Sequence, residues 1–173
     1  MSPGFLVAGI GNIFLGDDGF GVEVVRRLAS RPLPAGVRVA DFGIRGLHLA
    51  FELLEHPDDT MILVDATPRA GEPGTVYLIE PDLETLASPE SPADAHDMTP
   101  AAVFGLLRSL GGTPGRVLIV GCEPLSTEEE MGLSPPVEGA VDEAVALILD
   151  VLAREARENA AGNPAGILQE GGS

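Results

Sequence analysis

Five short runs of apolar and β-branched residues, at 5–9, 37–41, 61–65, 75–80 and 116–121, alternate with stretches whose apolar residues recur every three or four positions. That alternation is the pattern of strands joined by crossover helices, and it restricts the chain to an α/β domain on a mostly parallel sheet. Phe20, Val24, Val25 and Leu28 mark a first helix, which Asp17 and Asp18 are placed to cap. Leu47, Ala50, Phe51 and Leu54 mark a second over 46–55. Val103, Leu106, Leu107 and Leu110 mark a third behind Thr99 and Pro100, and Val141, Val145, Ile148 and Leu152 a last one opened by Ser134 and Pro135. The turn at 70–74 is too short for a helical crossover, so the strand at 75–80 is expected to pair antiparallel at an edge. Residues 82–97 lack periodicity and read as a loop. A single domain over 1–157 and a disordered tail over 158–173 complete the expected organisation.

Composition excludes more than it identifies. Of 173 residues 45% are hydrophobic, enough for one sizeable core. Asp and Glu number 27 against 10 basic residues, all Arg, so phosphate backbones and anionic bilayers would repel the chain. No nucleic acid and no membrane surface is expected as a partner, and the chain is expected to be a monomer. Cys122 is the only cysteine and cannot close an internal disulfide. No apolar run approaches the roughly 20 residues of a membrane span, and residues 1–8 carry no basic n-region, so a soluble cytoplasmic protein is expected.

In an open parallel sheet, ligands bind beyond the carboxyl ends of the strands. Asp18, Asp41, Asp65 and Glu123 all fall at or just after such ends, and His96 lies in the loop before the third helix. The glycine-rich turn at 9–16 resembles a dinucleotide fingerprint with Asp41 as its ribose acid, but its spacing is off by two residues. Asp17 and Asp18 would also meet a pyrophosphate with like charge at the helix start. Asp18, Asp65 and His96 form two carboxylates and one imidazole, a set suited to a borderline divalent metal with open coordination positions. From the residues alone, an equally good account makes Asp18 a helix cap, Asp65 a turn former and His96 an exposed loop residue.

The segments at 9–21 (GIGNIFLGDDGFG), 62–74 (ILVDATPRAGEPG), His96-Asp97, 121–124 (GCEP) and Leu133-Ser134-Pro135 resemble, in order, the signature blocks of the hydrogenase maturation proteases. The resemblance spans residues 5–155. It implies a three-layer α/β/α sandwich with a twisted, mostly parallel five-stranded sheet and one antiparallel edge strand. It also implies a nickel-dependent endopeptidase that removes the C-terminal extension of a NiFe hydrogenase large-subunit precursor once nickel is inserted. Asp18, Asp65 and His96 match the family's metal-binding positions. The nickel would come with the substrate subunit, and another divalent ion could take its place in the isolated protein. Many members follow the second-strand acid with a Gly-Thr turn, where this chain has Asp41-Phe42-Gly43-Ile44-Arg45-Gly46, a departure that bears on which large subunit is recognised.

No His-Glu-x-x-His helix and no Gly-x-Ser-x-Gly elbow is present, so neither a conventional zinc protease nor a serine hydrolase is encoded. Glu123 and Asp41 are the candidate general bases, and both are expected to shape the substrate cleft with the turn at 42–46. Cys122 as a nucleophile would need a close base, and a lone Cys at a strand end reads more simply as a small core residue. The alternative functional class is a non-catalytic α/β module that binds a metal or nucleotide.

Overall fold

The computed structural model describes residues 4–86 and 99–161. Five strands, β1 (Phe5–Ile10), β2 (Val37–Gly43), β3 (Thr60–Ala66), β4 (Val76–Ile79) and β5 (Val117–Cys122), form one sheet in the order β2-β1-β3-β5-β4. All neighbours are parallel except β4, which runs antiparallel to β5 at the edge, as the short 70–74 turn predicts. The first two crossovers are α1 (Phe20–Ala29) and α2 (Gly46–Glu55). The return to β5 carries α3 (Leu83–Leu86) and α4 (Pro100–Ser109), and the chain continues through α5 (Pro135–Glu138) into α6 (Val141–Ala161).

Strand alternation builds two cores from one sheet. Phe5 and Val7 of β1, Ile62 and Val64 of β3, and Leu118 and Val120 of β5 face α1 and α6. Leu6, Ala8, Met61, Leu63, Val117 and Ile119 face the opposite way, toward α2 and α4. Both faces of the central strands are therefore buried, which accounts for their continuous apolar runs and gives the three-layer sandwich. Burying a large aliphatic side chain contributes about 1.5–3 kcal/mol, so these two faces dominate the stability of the domain. Gly9 and Gly21 bring α1 directly onto the sheet: a Cβ at Gly9 would lie 2.4 Å from the Gly21 carbonyl oxygen, and one at Gly21 would lie 2.1 Å from that of Val64.

Several local expectations are corrected. Asp17 and Asp18 sit in a 3-10 turn (Gly16–Gly19) ahead of α1, whose cap position is Gly19, so neither acid caps that helix. In α2 the buried residues are Leu49, Ala50 and Leu53, while Leu47 and Phe51 are about half exposed. That helix is apolar nearly all round, so periodicity leaves its rotation undetermined. Leu106 of α4 and Leu110 at its C-cap are likewise exposed, and Ala102 and Phe104 take inward places beside Val103 and Leu107. The final helix opens at Pro135 as expected but breaks at Gly139 and Ala140, and α6 then continues to Ala161, past Glu158. One turn of helix, α3, begins the segment read as loop, and residues 87–98, including His96, lie outside the described residues. Among the described residues no helix is long and apolar enough to cross a membrane.

Candidate active site

Asp65 is the penultimate residue of β3 and is almost fully buried. Its Oδ1 has no hydrogen-bond partner among the described residues. Burial pushes its carboxyl well above the ordinary carboxylate range, and the charge of Asp18 pushes it further, only partly offset by the Ala66 amide. Gly11 adjoins both residues, so the two acids share one locality.

Asp18 reaches that locality from the 3-10 turn between β1 and α1. Its Oδ2 accepts a hydrogen bond from the Asn12 amide at 2.7 Å. Gly11 makes the approach possible: its φ is +127°, and a Cβ there would stand 1.9 Å from the Asp18 carbonyl oxygen and 3.6 Å from Asp65 Oδ1. Glycine at position 11 thus admits the Asp18 backbone to the end of the sheet near Asp65. The structure brings Asp18 and Asp65 together; His96 lies outside the described residues. Among those residues no group of three His, Cys, Asp or Glu forms a metal-binding cluster.

Asp41, paired in register with Gly9, lies at the neighbouring end of β2. Its side chain is partly exposed and stands 3.8 Å from the Arg26 guanidinium. Together with Phe14, Ile44 and Arg45 these residues line an open cleft of about 280 Å³ that also includes Gly11 and Asn12. Arg45 holds the turn by donating to the Phe42 and Asp41 carbonyls. Asp41 therefore borders a cleft that adjoins the carboxylate pair through Gly11 and Asn12. Phe14 was not singled out in the sequence and Ile44 only as part of the 42–46 turn, yet they are 63% and 65% exposed on the rim, where apolar side chains are available to a bound chain.

Glu123 follows β5 and turns toward the loop after β3. Its Oε1 accepts from the Arg69 amide (2.9 Å), the Gly71 amide (2.8 Å) and the Tyr77 hydroxyl (2.8 Å). Its Oε2 takes a second contact from the Arg69 amide at 3.1 Å. Burial opposes the charge, but the Gly71, Tyr77 and Arg69 donors outweigh it and hold the carboxyl below its ordinary value. These contacts pin the 67–74 loop to β5. Arg69 also lies over the Tyr77 ring, 5.7 Å from its centroid.

Cys122 is fully buried in the core shared with α6. Burial, with a contribution from the charge of Asp17, pushes its thiol up to about 12, so it stays protonated at neutral pH. That environment is the one the core reading of a lone strand-end Cys expects.

Comparison with known proteins gives a consistent result. The family model "HycI: Hydrogenase maturation protease" matches residues 22–151. The hydrogenase 2 maturation protease of Escherichia coli strain K12 is 34% identical over 149 residues, covering 85% of this chain and 89% of the relative. Among solved structures, the hydrogenase maturating endopeptidase HybD from E. coli superposes with a TM-score of 0.72 at 31% identity, covering 88% of this chain and 93% of its own. A hydrogenase 2 maturation peptidase from Thaumarchaeota archaeon SCGC_AB-539-E09 gives 0.65 at 33% identity, covering 87% and 98%.

Proposed function

The chain belongs to the hydrogenase maturation protease family and is an endopeptidase of that class, and from that premise we propose that it removes the C-terminal extension of a NiFe hydrogenase large-subunit precursor after nickel insertion, recognising the bound nickel. The observation that carries this reading is Asp65 Oδ1, buried near Asp18 and without a hydrogen-bond partner among the described residues. Two carboxylates held close, one of them desolvated, are unfavourable in a folded core unless a cation or proton compensates them. A nickel ion presented by the substrate would supply that compensation, and the donor set fits it: two carboxylates with His96 as the third ligand suit a borderline divalent metal.

In this reading Asp18 and Asp65 would hold the ion, Asp65 releasing its proton to solvent, and the nickel would supply electrophilic polarisation of the scissile carbonyl. The cleft beside Asp41 receives the chain on one side of the bond, with Phe14 and Ile44 as apolar walls and Arg26 and Arg45 as its cationic groups. Asp41, partly exposed at the cleft edge, is the better placed of the two candidate bases, because both oxygens of Glu123 are already engaged by donors.

The test is incubation of the purified protein with a nickel-loaded large-subunit precursor and with the metal-free precursor, reading the C-terminal mass of each. Loss of the extension from the nickel-loaded precursor alone is the expected result. Efficient cleavage of the metal-free precursor would rule out nickel recognition.

A further inference from the structure

Consecutive acids at 17 and 18 look interchangeable in the sequence and have opposite surroundings in the fold. A 3-10 turn rotates successive side chains by about 120°, so the two cannot face the same neighbours. Asp18 meets Asn12, Gly11 and the Asp65 locality. Asp17 is 1% exposed, and the contacts of its carboxylate are all with a segment more than a hundred residues away. We propose that Asp17, with Ser134, is a positioning residue that fixes Asp18 in the site; the inference rests on the reading that Asp18 belongs to the processing site.

The clamp is complete on both oxygens. Asp17 Oδ2 accepts from the Leu125 amide at 2.8 Å, the Ser126 amide at 3.1 Å and the Ser134 hydroxyl at 2.8 Å. Oδ1 accepts from the Ser134 amide at 2.7 Å. Backbone bonds run alongside: the Asp17 amide donates to Ser126 O at 2.9 Å, the Gly16 amide to Glu130 O at 2.7 Å, and the Glu130 amide to Phe14 O at 3.0 Å. A carboxylate is an acceptor on both oxygens, so it alone among side chains of this size satisfies four converging donors. An Asn in its place would have to turn its amino group onto the Ser134 amide or onto the three donors at Oδ2.

Gly11 supplies a second restraint. Gly11 lies so close to the Asp18 carbonyl that no side chain fits between them, and the Asp18 amide donates to Leu15 O at 3.1 Å. The turn carrying Asp18 is thus held both by Gly11 and by the 125–134 loop. Asp17 does not touch the reacting groups; it sets where its neighbour stands. The hydrogen bond from the Asn12 amide to Asp18 Oδ2 is a direct reporter of that placement.

The experiment is amide hydrogen exchange by NMR on the full chain, together with precursor-processing kinetics. In Asp17→Asn the Asn12 amide should exchange about tenfold faster, while the amides of Val7 and Ile62 in the sheet keep their rates. Processing kcat should fall about tenfold with KM within about twofold, because the substrate surface is intact and only the placement of Asp18 is lost. Ser134→Ala removes one of the four donors and should produce a smaller change at Asn12 in the same direction. Unchanged exchange at Asn12 in folded Asp17→Asn, or in Ser134→Ala should the first variant not fold, overturns the proposal. So does equal acceleration at Asn12, Val7 and Ile62, which would make Asp17 a general stabiliser, or an unchanged kcat in an Asp17→Asn protein whose Asn12 amide is deprotected. Exchange requires no substrate, so failure of the wild-type protein to cleave the precursor would count against the processing reading and leave exchange to decide the clamp.

Discussion

Asp65 and Asp18 share the end of the sheet as an unequal pair: Asp18 has the Asn12 amide on Oδ2, whereas Asp65 Oδ1 is buried with no partner among the described residues. Asp65 is desolvated and sits in the field of Asp18, so its proton affinity is raised. Binding a cation and releasing a proton are therefore linked at this residue.

The sign of the resulting pH dependence follows directly. A carboxyl whose folded pKa lies above its unfolded value binds more protons in the native state, so its favourable contribution is complete at low pH and is lost as pH rises through the folded pKa. Asp65→Asn keeps the shape and removes the ionisation. Its melting temperature should exceed that of the wild type by a few degrees at pH 8 and differ little at pH 4, in the metal-free protein. Thermal scans across that range check it; a pH-independent difference would mean that Asp65 is not raised by its surroundings.

Removal of each proposed ligand should separate activity from folding. Asp18→Ala, Asp65→Ala and His96→Ala are each expected to lower processing of a nickel-loaded precursor by a factor of about 100 or more, the loss typical of an essential electrostatic group. Far-ultraviolet circular dichroism should remain that of the wild type. Retained cleavage in His96→Ala would remove the histidine from the mechanism.

The sheet was legible in the sequence because buried parallel strands leave no choice of pattern: 61–64 is apolar throughout and forms the body of β3, and the short 70–74 turn forces β4 to an antiparallel edge. The phase of α2 was not legible, since apolar residues surround that helix and only the sheet selects Leu49, Ala50 and Leu53. At the site, strand-end placement singled out Asp18, Asp41, Asp65 and Glu123 alike, and only the family resemblance set Asp18 and Asp65 apart. The division of labour between Asp17 and Asp18 was hidden, because the donors that claim Asp17 come from Leu125, Ser126 and Ser134 and only folding brings them near. A buried acid beside a site acid leaves no local signal in periodicity.

Glu123 should behave as the opposite of Asp65. Its donors hold its carboxyl below the ordinary value, so its contribution is present above the unfolded pKa and is lost as pH falls through the folded one. Glu123→Gln is expected to lower the melting temperature by several degrees at pH 7, with the difference shrinking toward pH 3. Proteolysis within 67–74 should accelerate in the variant, since the Arg69 and Gly71 amides lose their acceptor. A stable variant with an intact 67–74 loop would show that these contacts carry little.

Cys122 should be dispensable for chemistry. Its thiol is buried and its pKa is pushed up to about 12, so an alkylating reagent at pH 7.5 should leave both thiol and processing untouched until the protein is unfolded. Cys122→Ala is expected to process precursor at the wild-type rate and to lose roughly 1 kcal/mol of stability from the missing sulfur. Inactivation by the reagent in the native state would point instead to thiol chemistry.

Asp41 offers the sharpest distinction between a cleft residue and a structural one. Its carboxylate is partly exposed, its ion pair with Arg26 spans 3.8 Å, and it has no place in either core. An exposed pair of that length contributes about 0–1 kcal/mol, so Asp41→Asn should leave the melting temperature within about 2 °C of the wild type. Processing should nevertheless fall. If Asp41 only orients the substrate chain, the loss appears in KM with kcat preserved; if it acts as the base, kcat falls and KM does not change. Arg26→Gln supplies the control, because it removes the cation beside Asp41 and keeps the carboxylate in the cleft. Parallel losses of stability and processing in Asp41→Asn would instead assign the residue to the hydrogen-bonded turn at 42–46, where Arg45 already grips the Asp41 carbonyl.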